Sequence, residues 1–285
     1  MKFLSYMLDD KVSFGGLTDD KITDLGARYP ELDLRQAIRE DRLSELAATA
    51  EKIGGEIAQE DIVFLPTIPN PEKIICIGVN YANRNAEYKD DSDAPKYPSV
   101  FMRSRESLVG HEQLIVDPPE SEQLDYEGEI VIVVGRGGRR IAEASAHEHI
   151  AGLTIMNEGS VRDWLRHAKF NVTQGKNFVA SGAMGPWMVT PEEIDPVSSL
   201  HIETRVNGEL RQDDVTDNLM FPFRYLISYL STFYQLNPGD VIATGTPNGA
   251  GARFDPPKYL RPGDIVEVTV DGVGTLKNEV AREPI

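Results

Sequence analysis

The sequence predicts a mainly β fold with a few helices, an α+β architecture, from three observations. Short β-rich runs dominate the chain after residue 70. Turn signals such as Asn207-Gly208 and Pro262-Gly263-Asp264 separate these runs. Strands and helices do not alternate regularly, which disfavours a parallel α/β sheet. The predicted strands cover residues 74–78, 99–102, 113–116, 129–134, 187–190, 202–206, 241–244 and 265–270, and the predicted helices cover 142–151, 160–167 and 222–233.

The pattern of residues 1–69 predicts a small α+β domain that precedes a larger domain. Segments 2–7 and 11–14 can pair as a hairpin around Asp9-Asp10. A helical pattern follows, and the prolines between residues 66 and 71 cannot continue a helix or a central strand. We therefore place a domain boundary there, with residues 70–285 as the second domain. The apolar positions of the helical pattern are Leu34, Ile38, Leu43, Leu46 and Ala50.

The charge balance and the cysteine content exclude several classes of partner and site. The 285 residues include 46 acidic and 29 basic side chains, a formal net charge of −17. Such a surface repels phosphate backbones and anionic lipids, so neither nucleic acid nor a membrane is a predicted partner. Cys76 is the only cysteine, which excludes an intrachain disulfide and favours a reducing compartment. No signal segment or membrane-length apolar stretch is evident, so the sequence predicts a cytoplasmic protein.

Two glutamates stand two residues apart at the entry of an apolar strand. Glu127 and Glu129 therefore project to the same face, where like carboxylates repel unless a cation lies between them. Glu158 follows another apolar run at a predicted strand-to-helix junction, where Ser160 would cap the helix. Three carboxylates suit Mg²⁺ or Mn²⁺, whereas zinc would need further cysteine or paired histidine ligands. For the first two glutamates alone, a solvated strand end is the alternative.

Seven blocks of sequence occur in an order that is typical of one enzyme family. They are Ile77-Gly78-Val79-Asn80-Tyr81, Phe101-Met102-Arg103-Ser104, Asp125-Tyr126-Glu127-Gly128-Glu129, Asn157-Glu158, Gly175-Lys176, Gly185-Pro186-Trp187 and Thr244-Gly245-Thr246-Pro247-Asn248-Gly249. Over residues 70–285 the chain thus resembles the fumarylacetoacetate hydrolase family. The resemblance implies a β-sandwich roll as the catalytic domain and a Mg²⁺ or Mn²⁺ ion held by the three glutamates. It also implies a small 2-oxo acid as substrate and a homodimer or dimer-based oligomer.

The chain departs from the family pattern in the segment that would form a lid over the site. The family usually carries a histidine followed three residues later by a glutamate; here Arg84 replaces the histidine and Glu87 matches the glutamate. Arginine stays protonated at physiological pH, so Arg84 cannot be a general base, although it could stabilise an enolate or an oxyanion. Glu87 is the leading candidate for the base, directly or through a second water, and a metal-bound hydroxide is the alternative. Glu158 replaces the usual aspartate, and Arg103 replaces the usual lysine.

The resemblance implies metal-assisted cleavage of the C3–C4 bond of a 2,4-dioxo acid, which releases pyruvate and a small hydroxy acid. Lys176 is predicted to act in catalysis beside Glu87 and Arg84. Segment 252–264 is similar to the subgroup that acts on sugar-derived acids such as 2,4-didehydro-3-deoxy-L-rhamnonate. Acylpyruvate hydrolysis, decarboxylation of the oxaloacetate type, and ligand binding without catalysis are the alternatives. The predicted substrate contacts are Tyr81, Arg103, Lys176, Gly245 and Thr246.

Overall fold

The computed structural model describes residues 1–82, 95–167 and 171–284, and it confirms the predicted mainly β fold. The longest helices in these ranges have 11 residues, and none is long and apolar enough to cross a membrane. The strands are β1 Lys2–Leu8, β2 Lys11–Thr18, β3 Lys21–Asp24, β4 Ile57–Ala58, β5 Val63–Phe64, β6 Ile74–Gly78, β7 Ser99–Arg103, β8 Leu108–Val109, β9 Ile115–Asp117, β10 Leu124–Asp125, β11 Gly128–Val134, β12 Ile150–Asn157, β13 Ser160–Val161, β14 Gly182–Val189, β15 His201–Val206, β16 Glu209–Val215, β17 Val241–Ala243, β18 Ile265–Val270 and β19 Gly274–Arg282. The α-helices are α1 Leu34–Arg39, α2 Leu43–Ile53, α3 Thr173–Lys176 and α4 Phe223–Phe233.

Two sheets pack against each other around the main core. The larger sheet has the order β4-β3-β2-β1-β14-β12-β11-β17-β6-β7, with β5 beside β1 and β8 beside β14. The smaller sheet has the order β16-β15-β18-β19-β9, and β10 and β13 form a separate ribbon. Most neighbours are antiparallel, whereas β6–β17, β8–β14 and β9–β19 are parallel pairs. The arrangement is therefore a β-sandwich of unequal sheets.

Strand β11, in the middle of the large sheet, is buried along its whole length. Ile130, Ile132 and Val134 belong to the cluster shared with the small sheet. Val131 and Val133 point the other way, into a second cluster that includes side chains of the N-terminal unit. A strand covered on both faces becomes a continuous apolar run, which is the pattern that this segment shows.

The N-terminal unit contributes strands directly to the large sheet. The predicted hairpin is confirmed, since β1 and β2 pair antiparallel with Leu8 opposite Lys11. Strand β1 also pairs with β14, placing Lys2 opposite Val189. The helical pattern forms two helices rather than one, because the chain breaks between α1 and α2 at Asp41, whose φ is +56°. The predicted domain boundary near residue 69 stays a prediction.

Two of the three predicted helices in the second unit have a different structure. The predicted helix 222–233 is confirmed as α4. Residues 142–151 instead form a 3₁₀ segment, Glu143–His149, before β12 begins. The helix predicted from Ser160 was wrong, because Ser160 pairs with Asp125 in the β10–β13 ribbon. Only a short 3₁₀ segment, Asp163–Arg166, follows, since tertiary strand pairing outweighs local helical preference there.

Gly128 permits close packing between the two sheets at the start of β11. A Cβ atom at this position would lie 2.2 Å from Thr204 Oγ1 and 2.9 Å from Val268 Cγ1. We expect Gly128→Ala to lower the free energy of unfolding by about 1–3 kcal/mol, because the added methyl overpacks a rigid core. Gly78→Ala is the matched control, since a Cβ there meets only ordinary contacts at 3.5 Å or more. Urea unfolding of both variants measures the difference, and equal stabilities would contradict the expectation.

Candidate active site

A cavity of about 840 Å³ opens over the ends of β6, β7 and β11. The three candidate metal-binding glutamates, three basic side chains and Thr246 line it together with apolar residues. The described lining residues are Ile77, Gly78, Val79, Ser99, Val100, Phe101, Met102, Arg103, Ser104, Glu127, Glu129, Glu158, Arg162, Leu165, Asn171, Val172, Thr173, Lys176, Asn177 and Thr246.

Pairing of β11 with β12 brings the three acids together. The register sets Gly128 opposite Asn157, so Glu127 and Glu129 flank the point where Glu158 leaves the sheet. The Glu158 amide donates to the Glu127 carbonyl at 2.7 Å, and the Glu127 amide donates to Asn157 Oδ1 at 3.0 Å. All three carboxylates are buried. The three acids therefore lie together in one site, as the sequence predicts.

Three cations form ion pairs with two of these buried acids, Glu127 and Glu158. Lys176 Nζ, at the end of α3, donates to Glu127 Oε2 at 2.5 Å and also to Glu158 Oε2. Arg103 Nη1 donates to Glu158 Oε1 at 2.6 Å, and Arg162 Nη2 donates to Glu127 Oε1 at 2.9 Å. The predicted catalytic lysine therefore lies at the centre of the acid cluster, between two of the candidate ligands.

Arg103 is held by the protein on every side of its guanidinium. Besides Glu158, Nη1 donates to the Gly159 carbonyl at 2.7 Å, and Nε donates to Ser107 Oγ at 3.0 Å. Nη2 donates to Ser181 Oγ at 3.0 Å. The side chain was predicted to bind substrate, but these contacts make it a residue that positions Glu158. A contact with substrate stays a prediction.

Arg162 and Asp125 hold Glu127 from the opposite side, and sequence reasoning gave them no role. Asp125 Oδ2 accepts Arg162 Nε at 2.7 Å. The same carboxylate accepts the amides of Gly251 at 2.7 Å and Ala252 at 3.0 Å. Two signals were present: Asp125 continues the alternation of acids in its block, and Arg162 stands four residues after Glu158.

The turn after β17 holds the third acid and places Thr246 in the cavity wall. The Gly245 amide donates to Glu129 Oε2 at 2.8 Å, with Gly245 in a left-handed conformation at φ +106°. The Gly245 amide thus positions Glu129, and the predicted contact of Gly245 with substrate stays a prediction. Thr246 lines the cavity, and its Oγ1 accepts Gln212 Nε2 at 2.8 Å. Its predicted contact with substrate stays a prediction. Gln212 was missed, because it comes from β16 in the other sheet.

The protonation of the acids reflects their burial and mutual repulsion. Burial, with the charges of Glu158 and Glu127, raises the pKa of Glu129 well above its ordinary value. Burial also raises the pKa of Glu158, although Lys176 and Arg103 oppose the shift. A cation that entered the cluster would remove this penalty.

An oxygen-only set of three buried carboxylates fits Mg²⁺ or Mn²⁺ in its chemistry. In the described part of the chain, however, no three acidic, histidine or cysteine side chains are arranged as a ready ligand set. The Lys176 ammonium lies between Glu127 and Glu158, so it would have to move aside for a metal ion. The ligand role of the glutamates stays a prediction.

The remaining predicted site residues lie elsewhere. Tyr81 is in the hydrophobic core and is not among the described residues of the cavity wall, so its position does not favour the predicted substrate contact. The two predicted catalytic residues of the lid, Arg84 and Glu87, lie outside the described ranges. Their roles stay predictions.

Known proteins resemble this chain over its whole length. Residues 73–281 match the family model for the fumarylacetoacetate (FAA) hydrolase C-terminal domain. The chain is 37% identical to oxaloacetate tautomerase YisK of Bacillus subtilis (strain 168), covering 98% of this chain and 100% of that protein. It is also 37% identical to the mitochondrial oxaloacetate tautomerase fahd2 of Xenopus laevis, covering 91% and 82%. The fumarylacetoacetate hydrolase structure from psychrophilic Exiguobacterium antarcticum is 30% identical and superimposes with a TM-score of 0.88, covering 99% and 100%. The chain therefore belongs to the fumarylacetoacetate hydrolase family.

Proposed function

We propose that this protein is a divalent-metal-dependent enzyme that interconverts the keto and enol forms of oxaloacetate. The observation that carries the proposal is the full-length similarity to proteins named oxaloacetate tautomerases, at 37% identity. This proposal replaces hydrolysis of a sugar-derived acid as the first choice, because neither of these two relatives is named for that activity. Family members catalyse hydrolysis, isomerisation or tautomerisation, so the reaction type must come from the site.

The general bases available in the site support tautomerisation over hydrolysis. Hydrolysis needs an activated water, and the family pattern uses a histidine that Arg84 replaces here. The described residues that line the cavity include no histidine either. Tautomerisation consumes no water: a C3–H bond breaks, the C2 oxygen gains a proton, and the carbon chain stays intact. One positioned acid–base group and a stabilised enolate are enough.

Each residue of the site has a part in this proposal. Glu87 would take the proton from C3 and deliver it to the C2 oxygen, and the reverse reaction would run the same two transfers backwards. Lys176 would place a positive charge beside the developing enolate oxygen, because its ammonium already lies among the acids at the cavity floor. Arg103 and Arg162 would keep Glu158 and Glu127 in place. Bound by Glu127, Glu129 and Glu158, a Mg²⁺ or Mn²⁺ ion would supply Lewis-acid stabilisation of the enolate.

Addition of Mg²⁺ or Mn²⁺ should raise the thermal unfolding midpoint. Ion binding to the folded state alone contributes about 2.7 kcal/mol at a free concentration one hundred times the dissociation constant. For a chain of this size that corresponds to about 5–10 °C. Glu129→Gln should lose most of the gain, whereas the exposed Glu209→Gln, a matched control, should keep it. Differential scanning fluorimetry with and without metal measures both, and equal gains in the two variants would contradict the ligand assignment.

A keto–enol assay tests the reaction itself. The purified protein with Mg²⁺ should accelerate the approach of oxaloacetate to its keto–enol equilibrium, followed through the ultraviolet absorbance of the enol, without net release of pyruvate. Glu87→Gln should abolish the acceleration while leaving metal binding intact. Failure to accelerate equilibration at any metal concentration would refute the proposal.

Hydrolysis of a 2,4-dioxo acid is the second candidate, since Glu87 retains the family's glutamate and segment 252–264 resembles the sugar-acid subgroup. Release of pyruvate from acylpyruvates or from 2,4-didehydro-3-deoxy-L-rhamnonate, with ¹⁸O from water in the second acid, would favour it. Release of pyruvate and carbon dioxide from oxaloacetate would instead indicate a decarboxylase.

The predicted homodimer is tested by sedimentation equilibrium.

A further inference from the structure

Gln212 joins the small sheet to the two segments that carry the site. It lies on β16 and is almost fully buried. Its Oε1 accepts the Gly128 amide at 2.9 Å, between Glu127 and Glu129 on the chain. Its Nε2 donates to Thr246 Oγ1 and to the Pro247 carbonyl, each at 2.8 Å.

The partners of Gln212 fix the direction of every hydrogen bond in this bridge. A backbone amide can only donate, so Oε1 must face Gly128. A carbonyl can only accept, so Nε2 must face Pro247. The remaining Nε2 hydrogen then points at Thr246, whose hydroxyl oxygen acts as an acceptor. The orientation of the Gln212 amide is therefore determined by its surroundings.

Because Gln212 donates to Thr246, the hydroxyl hydrogen of Thr246 can be donated into the cavity. A hydroxyl has one hydrogen to donate and two lone pairs to accept with. One lone pair of Thr246 is used by Gln212, and within residues 1–82, 95–167 and 171–284 no acceptor faces its hydrogen. The side chain lines the cavity that holds the three acids.

We propose that Gln212 is a positioning residue that makes Thr246 a hydrogen-bond donor to an acceptor oxygen of the bound acid. The inference rests on the proposed function in taking a small 2-oxo dicarboxylic acid as the ligand. A donor at this point favours a carboxylate or an enolate oxygen, because charge-assisted hydrogen bonds are about twice as strong as neutral ones. Gln212 thereby selects for anionic oxygen without touching the substrate.

Binding of two unreactive acids, oxalate and malate, tests the proposal by calorimetry in the presence of Mg²⁺. Thr246→Val should weaken the binding of at least one acid by about 10- to 100-fold, the loss of a hydrogen bond to a charged group. Thr246→Ser keeps the hydroxyl and should bind that acid within about 3-fold of the wild type. Gln212→Met should weaken binding about as much as Thr246→Val, and the double variant should lose no more than either single change.

Gln212→Met also leaves the buried Gly128 amide without its acceptor, which could destabilise the protein. A second variant therefore separates a loss of binding from a loss of folding. Gln212→Glu keeps an acceptor for Gly128 but cannot donate to Thr246 when ionised; it too should weaken binding. Gln235→Met, at an exposed glutamine, is the matched control and should bind as the wild type does.

Any of three results would overturn the proposal. The first is unchanged binding of both acids by Thr246→Val, and the second is a double variant whose loss equals the product of the two single losses. The third is the absence of binding of both acids by the wild type. Binding of either acid by a wild type that does not catalyse keto–enol exchange would refute only the proposed function.

Discussion

Replacement of Lys176 by methionine should lower kcat/KM for keto–enol exchange by about 10²- to 10³-fold, the usual cost of removing a preorganised electrostatic group. The ammonium is buried and contacts both Glu127 and Glu158. Burial alone would lower the pKa of Lys176, but these two carboxylates raise it above its ordinary value. Methionine fills much of the same volume and removes the positive charge. Steady-state kinetics with saturating Mg²⁺ measures the loss.

Lys277→Met is the matched control for this experiment. Lys277 is about half exposed and lies 3.8 Å from Glu267 on the surface of the small sheet. Loss of that charge should leave kcat/KM within about 2-fold, since exposed ion pairs contribute little. If Lys176→Met retained nearly full activity with its metal affinity unchanged, the role of Lys176 in stabilising the enolate would be wrong.

Arg103→Met should cause the largest loss of stability of any single substitution at the site. Its side chain is fully buried and shares an ion pair with an equally buried Glu158. Removing one partner of such a pair costs about 3–5 kcal/mol, because the other charge remains buried without it. For a chain of this size the unfolding midpoint should fall by roughly 6–20 °C. Thermal denaturation followed by circular dichroism measures the fall.

Arg105→Met provides the comparison, two residues away. Arg105 pairs with Glu106, but the side chains are 66% and 57% exposed. Its loss should change the free energy of unfolding by less than about 0.5 kcal/mol, as is usual for the surface. Similar midpoints for the Arg103 and Arg105 variants would show that Glu158 does not depend on Arg103.

Strand alternation and the family pattern together were sufficient to group the acids. Glu127 and Glu129 lie on one side of a strand by simple alternation, and Glu158 follows the next buried strand, so neighbouring strands bring all three together. The hairpin of β1 and β2 and helix α4 were also predictable, because local turn chemistry and helical periodicity agree with the tertiary structure there.

Contacts between distant segments could not be read from local pattern. Ser160 looked like a helix cap because nothing in its neighbourhood reveals that Asp125 will pair with it. The ion pair of Arg103 with Glu158 could not be predicted, since sequence does not show which buried acid a cation will pair with. Gln212 lies 84 residues from Gly128 along the chain, and no spacing connects them.

The burial of β11 on both faces has a consequence for how the protein loses its activity. The amides of β11 are bonded to β12 on one side and, for part of the strand, to β17 on the other. Segments of this kind exchange their amide hydrogens with solvent only when the whole domain opens. Glu129 lies two residues before the part of β11 that is paired on both sides. We therefore expect heat to displace Glu129 mainly when the large sheet opens, and the rate of hydrogen–deuterium exchange in β11 to report how often the sheet opens.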